Sequence, residues 1–388
     1  MERLPSRIER LRQVAADTAA QVLAKEREAV DRDGHWPERG LRTLAEAGLM
    51  ALHVPERLGG HGQGLLALAV VTEELGKRCS STAMCFGMHS VATKVLASKA
   101  TPHHEEHFLR PIAEGKHITS LALSEPGTGA FFFLPRTQFT FEGEEVVLEG
   151  EKSFVTSGGH ADSYVMSAVP PGSELDPGTF TCFVVEGREP GLQWLPDWQG
   201  FGMRGNSSRG VRLEQVRIPK EDMLGSEGDE IWYVFEVVAP FFIVGMSAVY
   251  LGIAQAALDK TISHLKERVH AHTGESLSTV PVISQQVAEM WMKIERSRRL
   301  IHHAASIGDA GDPQTSLALF AAKADIAETV TAVTQQAMIL GGGRAYGRDG
   351  AIGQLVRDAQ ASHIMAPTSQ LLKSWLGRSL LGLPPLGT

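Results

Sequence analysis

The spacing of apolar residues divides the chain into three regions. Over about the first 122 residues, from Pro5 onwards, apolar residues recur at helical spacing, and glycines within residues 59–62 are expected to break two helices. Between Leu123 and roughly Gly225 the period shifts towards two, which is typical of strands. After Ile231 the helical period returns in long segments, whose apolar stripes are wider than one core needs.

This pattern predicts a mainly α protein with a central β domain. We expect an N-terminal helical domain over residues 1–120, an antiparallel β domain over 121–225 and a C-terminal four-helix bundle over 226–388. The wide apolar stripes of the bundle also predict contacts between subunits, in a homotetramer or homodimer. The β domain is expected to contain strands at 137–142, 145–149, 152–156, 163–169, 179–186 and 210–218, with turns at 143–144, 150 and 170–172.

Composition and charge narrow the classes of partner. The 388 residues are 43% apolar, and 37 basic against 45 acidic residues give a net charge of -8 with no basic stripe for a nucleic acid. The three cysteines lack the spacing of a zinc or redox site, and we expect no apolar run of the roughly 18 residues that a membrane span needs. These features predict a soluble cytoplasmic protein with buried thiols, no metal site, no membrane span and no nucleic-acid partner.

The segment 121–130 carries the first candidate chemistry. It reads as a strand that ends in a small hydroxyl residue, Ser124, followed by a turn with Pro126, Gly127 and Gly129. Such a turn brings a hydroxyl and several backbone N–H groups to one place, where they can hold the edge of a flavin ring and a pyrophosphate. Taken alone, the segment also fits an ordinary link between a strand and a turn.

Three further segments carry candidate site residues. The segment 152–159 contains Phe154 and Thr156, a pair that any amphipathic strand can also carry, and a Gly-Met-Arg-Gly sequence at 202–205 leads into a strand that closes the β domain. Near the C-terminus, glycines at 341–343 follow a helix, where a C-cap is the simple interpretation. Thr368 or Ser369 is expected to be the N-cap of a last helix.

Together with Arg357-Asp358-Ala359, these segments resemble the acyl-CoA dehydrogenase family from end to end. The resemblance implies FAD as cofactor and an acyl thioester, carried by CoA or an acyl carrier protein, as substrate. It also implies that each subunit contributes residues to its neighbour's FAD. The residues that the resemblance places against FAD are Leu123, Ser124, Gly129, Phe154, Thr156, Thr273, Gly342, Gly343, Thr368 and Gln370.

The chain departs from the family at several of the cofactor positions. Ala130 stands where the family usually has a serine, and Ile339 stands in place of a glutamine that binds FAD. Ala271 lies where the family has an arginine that meets the pyrophosphate of an adjacent subunit, with Arg268 three residues earlier. The resemblance therefore predicts a FAD site with fewer polar contacts than usual.

The catalytic base of the family is also missing. Most members have a glutamate at the position of Ala366, and a minority have it at the position of Phe242. In the family this glutamate abstracts the α-proton of the thioester while the β-hydrogen leaves as a hydride. A base in an unusual place is then required, and His89, Glu236 and Asp349 are the candidates, although each also fits a structural or solvated role.

Three functions are compatible with these residues. The first is FAD-dependent α,β-dehydrogenation of an acyl thioester with a non-standard base. The second is a repurposed scaffold, either a flavin-dependent monooxygenase, which needs no base at the α-carbon, or a non-redox enzyme that acts on a thioester or natural-product intermediate. The third is a non-catalytic subunit that completes the active site of a homologous dehydrogenase.

Overall fold

The computed structural model describes residues 4–173, 179–227, 232–347 and 350–385. Its N-terminal part is helical, as the apolar spacing predicts. The helices are α1 (Ser6–Thr18), α2 (Ala24–Asp33), α3 (Glu38–Glu46), α4 (Leu65–Gly76), α5 (Ser80–Ser98), α6 (Pro102–His104) and α7 (Arg110–Ala113). The glycines at 59–62 lie in the loop that precedes α4.

The middle of the chain forms two four-stranded sheets within the described residues. Their strands are β1 (Thr119–Ala122), β2 (Gln138–Glu142), β3 (Glu145–Val155), β4 (Ser163–Ala168), β5 (Thr181–Glu186), β6 (Leu192–Trp194), β7 (Arg209–Pro219) and β8 (Met223–Leu224). One sheet has the order β1-β4-β5-β8 and the other β2-β3-β7-β6. The neighbouring strands are antiparallel, as predicted, except that β1 and β4 are parallel.

The turn predicted at Gly150 is wrong, because Gly150 lies inside β3. The predicted strands 145–149 and 152–156 are therefore one long strand. The register of β3 against β7 shifts between Leu148 and Gly150, and the φ angle of Gly150 is 152°, which marks a β-bulge. A Cβ at this position would lie 2.7 Å from the Cα of Thr137, so close packing of the backbone explains this glycine.

Long helices form the C-terminal part, as the returning helical period predicts. They are α8 (Ala239–Glu267), α9 (Pro281–Asp309), α10 (Thr315–Tyr346), α11 (Ala351–Ala359), α12 (Ala361–Ile364) and α13 (Ser369–Leu380). Helix α10 packs against α8, α9 and α13, and α4 packs along α8. A Cβ at Gly252 of α8 would lie only 2.6 Å from the carbonyl oxygen of Glu73 on α4, so glycine permits this close approach.

One helical segment is long and apolar enough to cross a membrane, so the expectation that the chain contains no such run is wrong. Tyr233–Glu267, a π-helical stretch followed by α8, has the length and composition of a membrane span, and its most apolar window of 18 residues has a mean hydropathy of 2.1. However, 83% of its most apolar window is buried inside the protein. A central helix of a packed bundle has these properties. The three cysteines are free and buried, as predicted.

Asp358 on α11 joins all three parts of the fold. Its carboxylate accepts hydrogen bonds from the main-chain N–H of Met203 at 2.7 Å and from the hydroxyl of Ser80 at the start of α5. The neighbouring Arg357 binds Asp31 of α2, with Nη1–Oδ1 3.0 Å. Burial of Asp358 raises its pKa to about 6.

Candidate active site

Two segments of the β domain that carry predicted site residues lie side by side. The main-chain N–H of Ser153 on β3 donates to the carbonyl of Ser124, in the loop after β1, at 2.8 Å. The hydroxyl of Ser120 on β1 donates to the carbonyl of Thr156 at 2.7 Å. These bonds place Ser124 next to the end of β3, where Phe154 and Thr156 lie.

A buried ion pair fixes the relative position of these segments. Nζ of Lys152 on β3 lies 2.6 Å from Oε1 of Glu125, and their side chains are 0% and 2% exposed. Glu125 also accepts the main-chain N–H groups of Arg136 at 2.6 Å and Thr137 at 3.2 Å, and Lys152 donates to Ser167 Oγ at 3.1 Å. Burial by itself favours the protonated carboxyl, but Lys152 and the other donors outweigh it and lower the pKa of Glu125.

The surface formed by these segments fits the ring system of a flavin. The hydroxyls of Ser124 and Thr156 have no hydrogen-bond partner among the described residues. A Cβ at Gly127 or Gly129 would meet no atom within 4 Å, so the loop borders open space. Phe154 is 68% exposed beside it. Ser124 is half-buried and Thr156 is 3% exposed, so these two hydroxyls and the exposed ring of Phe154 offer the hydrogen bonds and the aromatic contact that an isoalloxazine ring uses.

The last predicted segment forms a turn and a capped helix. The Thr368 hydroxyl accepts the N–H of Leu371 at 3.4 Å and caps α13, which confirms the predicted helix start. Gln370 is exposed, and Ala366 is half-buried just before a cis peptide bond to Pro367. The start of α13 therefore presents main-chain N–H groups next to the position where the family usually has its glutamate.

The remaining predicted residues lie on other elements. Gly342 kinks α10, with φ 55° and ψ -147°, and both Gly342 and Gly343 are exposed. Thr273 is exposed in the loop between α8 and α9, where its hydroxyl accepts the N–H of Glu275 at 3.2 Å. Leu123 is part of the apolar core. No hydrogen bond between described residues connects Thr273, Gly342 or Gly343 to the β domain.

A cavity of about 570 Å³ lies between the second half of α8 and the segment that follows the kink in α10. Lys260, His264 and Arg344 line it, together with the acidic Glu267. Lys260 has no salt bridge to a described residue, and its burial, together with two nearby arginines, lowers its pKa. No motif in the sequence singles out these basic residues, although Lys260 and His264 have the i,i+4 spacing that places two side chains on one helix face.

Comparisons with known proteins agree with this arrangement. Sequence profiles of the N-terminal, middle and C-terminal domains of acyl-CoA dehydrogenases match residues 6–116, 120–216 and 244–381. The chain belongs to the acyl-CoA dehydrogenase family. The FAD that this family implies is consistent with the free hydroxyls and exposed ring described above.

Several members of the family match nearly the whole chain. Cyclohex-1-ene-1-carbonyl-CoA dehydrogenase of Geobacter metallireducens is 30% identical, over 94% of this chain and 95% of its own. The mitochondrial short-chain specific acyl-CoA dehydrogenase of Bos taurus is 30% identical, over 97% and 91%. The structure of butyryl-CoA dehydrogenase from Megasphaera elsdenii is 27% identical, with a TM-score of 0.91 over 98% of this chain and 100% of that one.

The three candidate bases differ in their exposure and in their hydrogen bonds. His89 is 0% exposed, its Nε2 donates to the Met50 carbonyl at 2.9 Å, and its Nδ1 accepts the N–H of Thr119 at 3.1 Å. Burial lowers the pKa of His89 to about 4, so its role is structural. Glu236 is exposed and has no ion pair with a described residue. Asp349 lies outside the described residues.

Glu236 lies next to aromatic residues that follow the loop after β1. The ring of its neighbour Phe235 is 6.3 Å from the ring of Phe133, and Phe133 packs against Phe131 at 5.9 Å. Phe131 is 46% exposed. Glu236 is thus an exposed carboxylate that follows directly in sequence on Phe235, whose ring packs against this aromatic segment.

Proposed function

We propose that this acyl-CoA dehydrogenase binds FAD and forms an α,β double bond in an acyl thioester carried by CoA or an acyl carrier protein. The observation that carries the proposal is the pair of hydroxyls of Ser124 and Thr156, which have no hydrogen-bond partner among the described residues and lie near the exposed ring of Phe154. FAD, when bound there, accepts the β-hydrogen of the substrate as a hydride.

In this proposal, different residues of the chain bind different parts of FAD. The hydroxyls of Ser124 and Thr156 donate to the flavin ring, and the start of α13 at Thr368 faces a phosphate or ribose. The cavity with Lys260 and Arg344 supplies positive charge for phosphates next to the glycines of α10. This positive charge replaces that of the arginine that the family usually has at the position of Ala271.

Glu236 is the base in this proposal. It is exposed, has no ion pair with a described residue and lies next in sequence to Phe235, whereas both nitrogens of His89 are engaged within the fold. General base catalysis typically contributes roughly 10² to 10⁴ in rate, so Glu236→Gln should slow oxidation of an acyl-CoA by a factor in that range. Glu144→Gln, at another exposed carboxylate in the turn between β2 and β3, is the matched control and should leave the rate unchanged.

A flavin-dependent monooxygenase is the second candidate function, and the absence of a carboxylate at both Ala366 and Phe242 favours it. A monooxygenase requires no base at the α-carbon of a thioester. Anaerobic mixing with butyryl-CoA and with butyryl-acyl carrier protein distinguishes the two functions. A dehydrogenase bleaches the flavin absorbance and yields the enoyl product by mass spectrometry, whereas a monooxygenase yields a product only when O2 and an external reductant are added.

An assembly of identical chains is part of the proposal. The bundle exposes several large apolar side chains, and monomers seldom leave such a set in water. They are Ile339 (64% exposed), Tyr346 (83%), Ile364 (74%), Leu380 (71%) and Leu381 (77%). Ile339 and Tyr346 flank the glycines of α10, so a second chain seated here would also meet the residues that the family uses across subunits.

A further inference from the structure

Lys323 on α10 is a buried lysine without an acidic partner among the described residues. Its side chain is 0% exposed, and Nζ donates to the main-chain carbonyls of Pro367 at 2.8 Å, Ser362 at 3.2 Å and Met365 at 3.2 Å. No carboxylate of a described residue lies within salt-bridge distance of it. Its burial lowers the pKa of the ammonium group to about 8.

A charge in this place is costly for the fold. Buried charges are generally paired, and an apolar residue of similar size is often as stable or more stable at such a position. Lys323 is 0% exposed, so its ammonium group has no access to water. The ammonium group of Lys323 therefore makes contacts that an apolar side chain of similar size, such as methionine, cannot make.

Of the three carbonyls that Lys323 binds, those of Met365 and Pro367 belong to the turn before α13, and that of Ser362 belongs to α12. In a trans peptide the C=O and N–H groups point in opposite directions, and the peptide bonds after Met365 and after Pro367 are trans. Since the Met365 and Pro367 oxygens face Lys323, the N–H groups of Ala366 and Thr368 face away from it. Neither N–H is donated to an acceptor within the described chain. An ammonium group at the carbonyl end of a peptide strengthens its N–H as a donor.

We propose that Lys323 is a positioning residue, which holds this turn and aims the polarised N–H groups of Ala366 and Thr368 at the carbonyl oxygen of the thioester. This role rests on the proposed function. As the α-carbon–hydrogen bond breaks, the proton passes to the Glu236 carboxylate and the electron pair shifts towards the thioester oxygen. Donors that are already in place at that oxygen lower the barrier to this step. They partly compensate for the glutamate that Ala366 replaces.

Hydrogen exchange of the whole protein tests whether Lys323 holds the turn. In Lys323→Met, the amides of residues 365–372 should exchange at least about tenfold faster than in the wild type, while the rest of α10 changes less. The matched control is Ile301→Ala, at a buried position of α9, a helix that packs against α8 and α10. It should lower stability without a selective effect on 365–372. Unchanged protection of the turn in Lys323→Met would overturn the proposal.

The rate of flavin bleaching by butyryl-CoA tests the polarised N–H groups. Per bound FAD, Lys323→Met should be at least about tenfold slower at saturating butyryl-CoA, with a smaller change in KM, because the donors act mainly on the developing charge. A merely structural lysine would leave the rate per bound FAD unchanged, and that result would overturn the proposal. If the wild type itself is not bleached, the proposed function fails for butyryl-CoA, and the exchange experiment alone decides whether Lys323 holds the turn.

Discussion

Lys152 and Glu125 form an ion pair from which water is excluded, with Nζ and Oε1 2.6 Å apart and side chains 0% and 2% exposed. The pair connects β3 to the loop after β1. Those two segments carry Thr156 and Ser124, the hydroxyls that we assign to the flavin. The stability of the β domain and the geometry of the cofactor site are therefore coupled through one interaction.

Removal of one partner of this pair should be strongly destabilising. Lys152→Met leaves the Glu125 carboxylate buried without its cation, which typically costs about 3–5 kcal/mol of the free energy of unfolding. Urea unfolding of the apoprotein measures this loss. The double variant Lys152→Met/Glu125→Leu should recover part of it, because it removes both charges.

The exposed pair Lys116–Glu114, at 2.8 Å with side chains 73% and 55% exposed, is the matched control. Lys116→Met should leave the urea midpoint unchanged, because water screens the pair. Equal losses in Lys152→Met and Lys116→Met would show that the buried pair does not hold the loop.

Asp358 predicts a specific dependence of stability on pH. The pKa of Asp358 is about 6 in the folded protein, against an ordinary value of 3.8 for an aspartic acid. Between pH 3.8 and pH 6 the folded state therefore binds a proton that the unfolded state has released. Ionisation of Asp358 above pH 6 therefore costs stability, and acidification from pH 6 to 4 relieves that cost. By linkage the full effect is on the order of 3 kcal/mol.

Asp358→Asn isolates this effect, since an amide can accept from Met203 and donate to Ser80 without a charge. The variant should be more stable than the wild type above pH 6, and the difference in unfolding free energy should shrink as the pH falls to 4. Thermal unfolding across this pH range measures it. A difference that stays constant with pH would mean that Asp358 does not titrate in this window.

Restoring the carboxylate at position 366 should speed the reaction. Ordinary saturated acyl-CoA should bleach the flavin slowly in the wild type, and Ala366→Glu should raise the rate by up to roughly 10² to 10⁴, since a base at that position reaches the α-carbon in the family. The fixed φ of Pro367 is the obstacle, because the family has glycine there. Stopped-flow absorbance with butyryl-CoA measures the rate, with Ala366→Gln as the uncharged control. Fast bleaching of the wild type, with no further gain in Ala366→Glu, would instead show that Glu236 alone already serves as an efficient base.

The exposed apolar residues of the bundle predict how the assembly can be broken. Tyr346→Lys and Leu381→Lys should each shift the protein from an oligomer towards a monomer, because a lysine would be buried without a partner at the interface. Sedimentation velocity measures the mass. Val14→Lys, at a residue of α1 that is 38% exposed, should leave the mass unchanged. A wild type that sediments as a stable monomer would count against the assembly itself.

The features that follow local rules could be predicted from the sequence. The period of the apolar residues predicted the helices and most strands, and the hydroxyl of Thr368 predicted the start of α13. Gly150 was misread because a glycine within a strand gives the same local signal as a turn. The bond between Met203 and Asp358 joins residues 155 apart, so no local pattern could reveal it.

The same distinction between local patterns and long-range contacts applies to the candidate site. Ser124, Phe154, Thr156 and Thr368 could be named from short motifs, whereas Lys323 reads in sequence as one more polar residue on a helix. Its importance depends on burial and on carbonyls contributed by a segment 44 residues away. The basic lining of the cavity between α8 and α10 likewise appears only once the helices are packed together.

Titration of the purified apoprotein with FAD tests the central claim most directly. We predict one FAD per chain for the wild type, and affinity losses of roughly 0.5–1.5 kcal/mol for each of Ser124→Ala, Thr156→Ala and Thr368→Ala, because each removes one hydrogen bond to the cofactor. The triple variant should bind FAD far more weakly than any single one. A wild type that binds no FAD, or a triple variant that binds it as tightly as the wild type, would contradict the account.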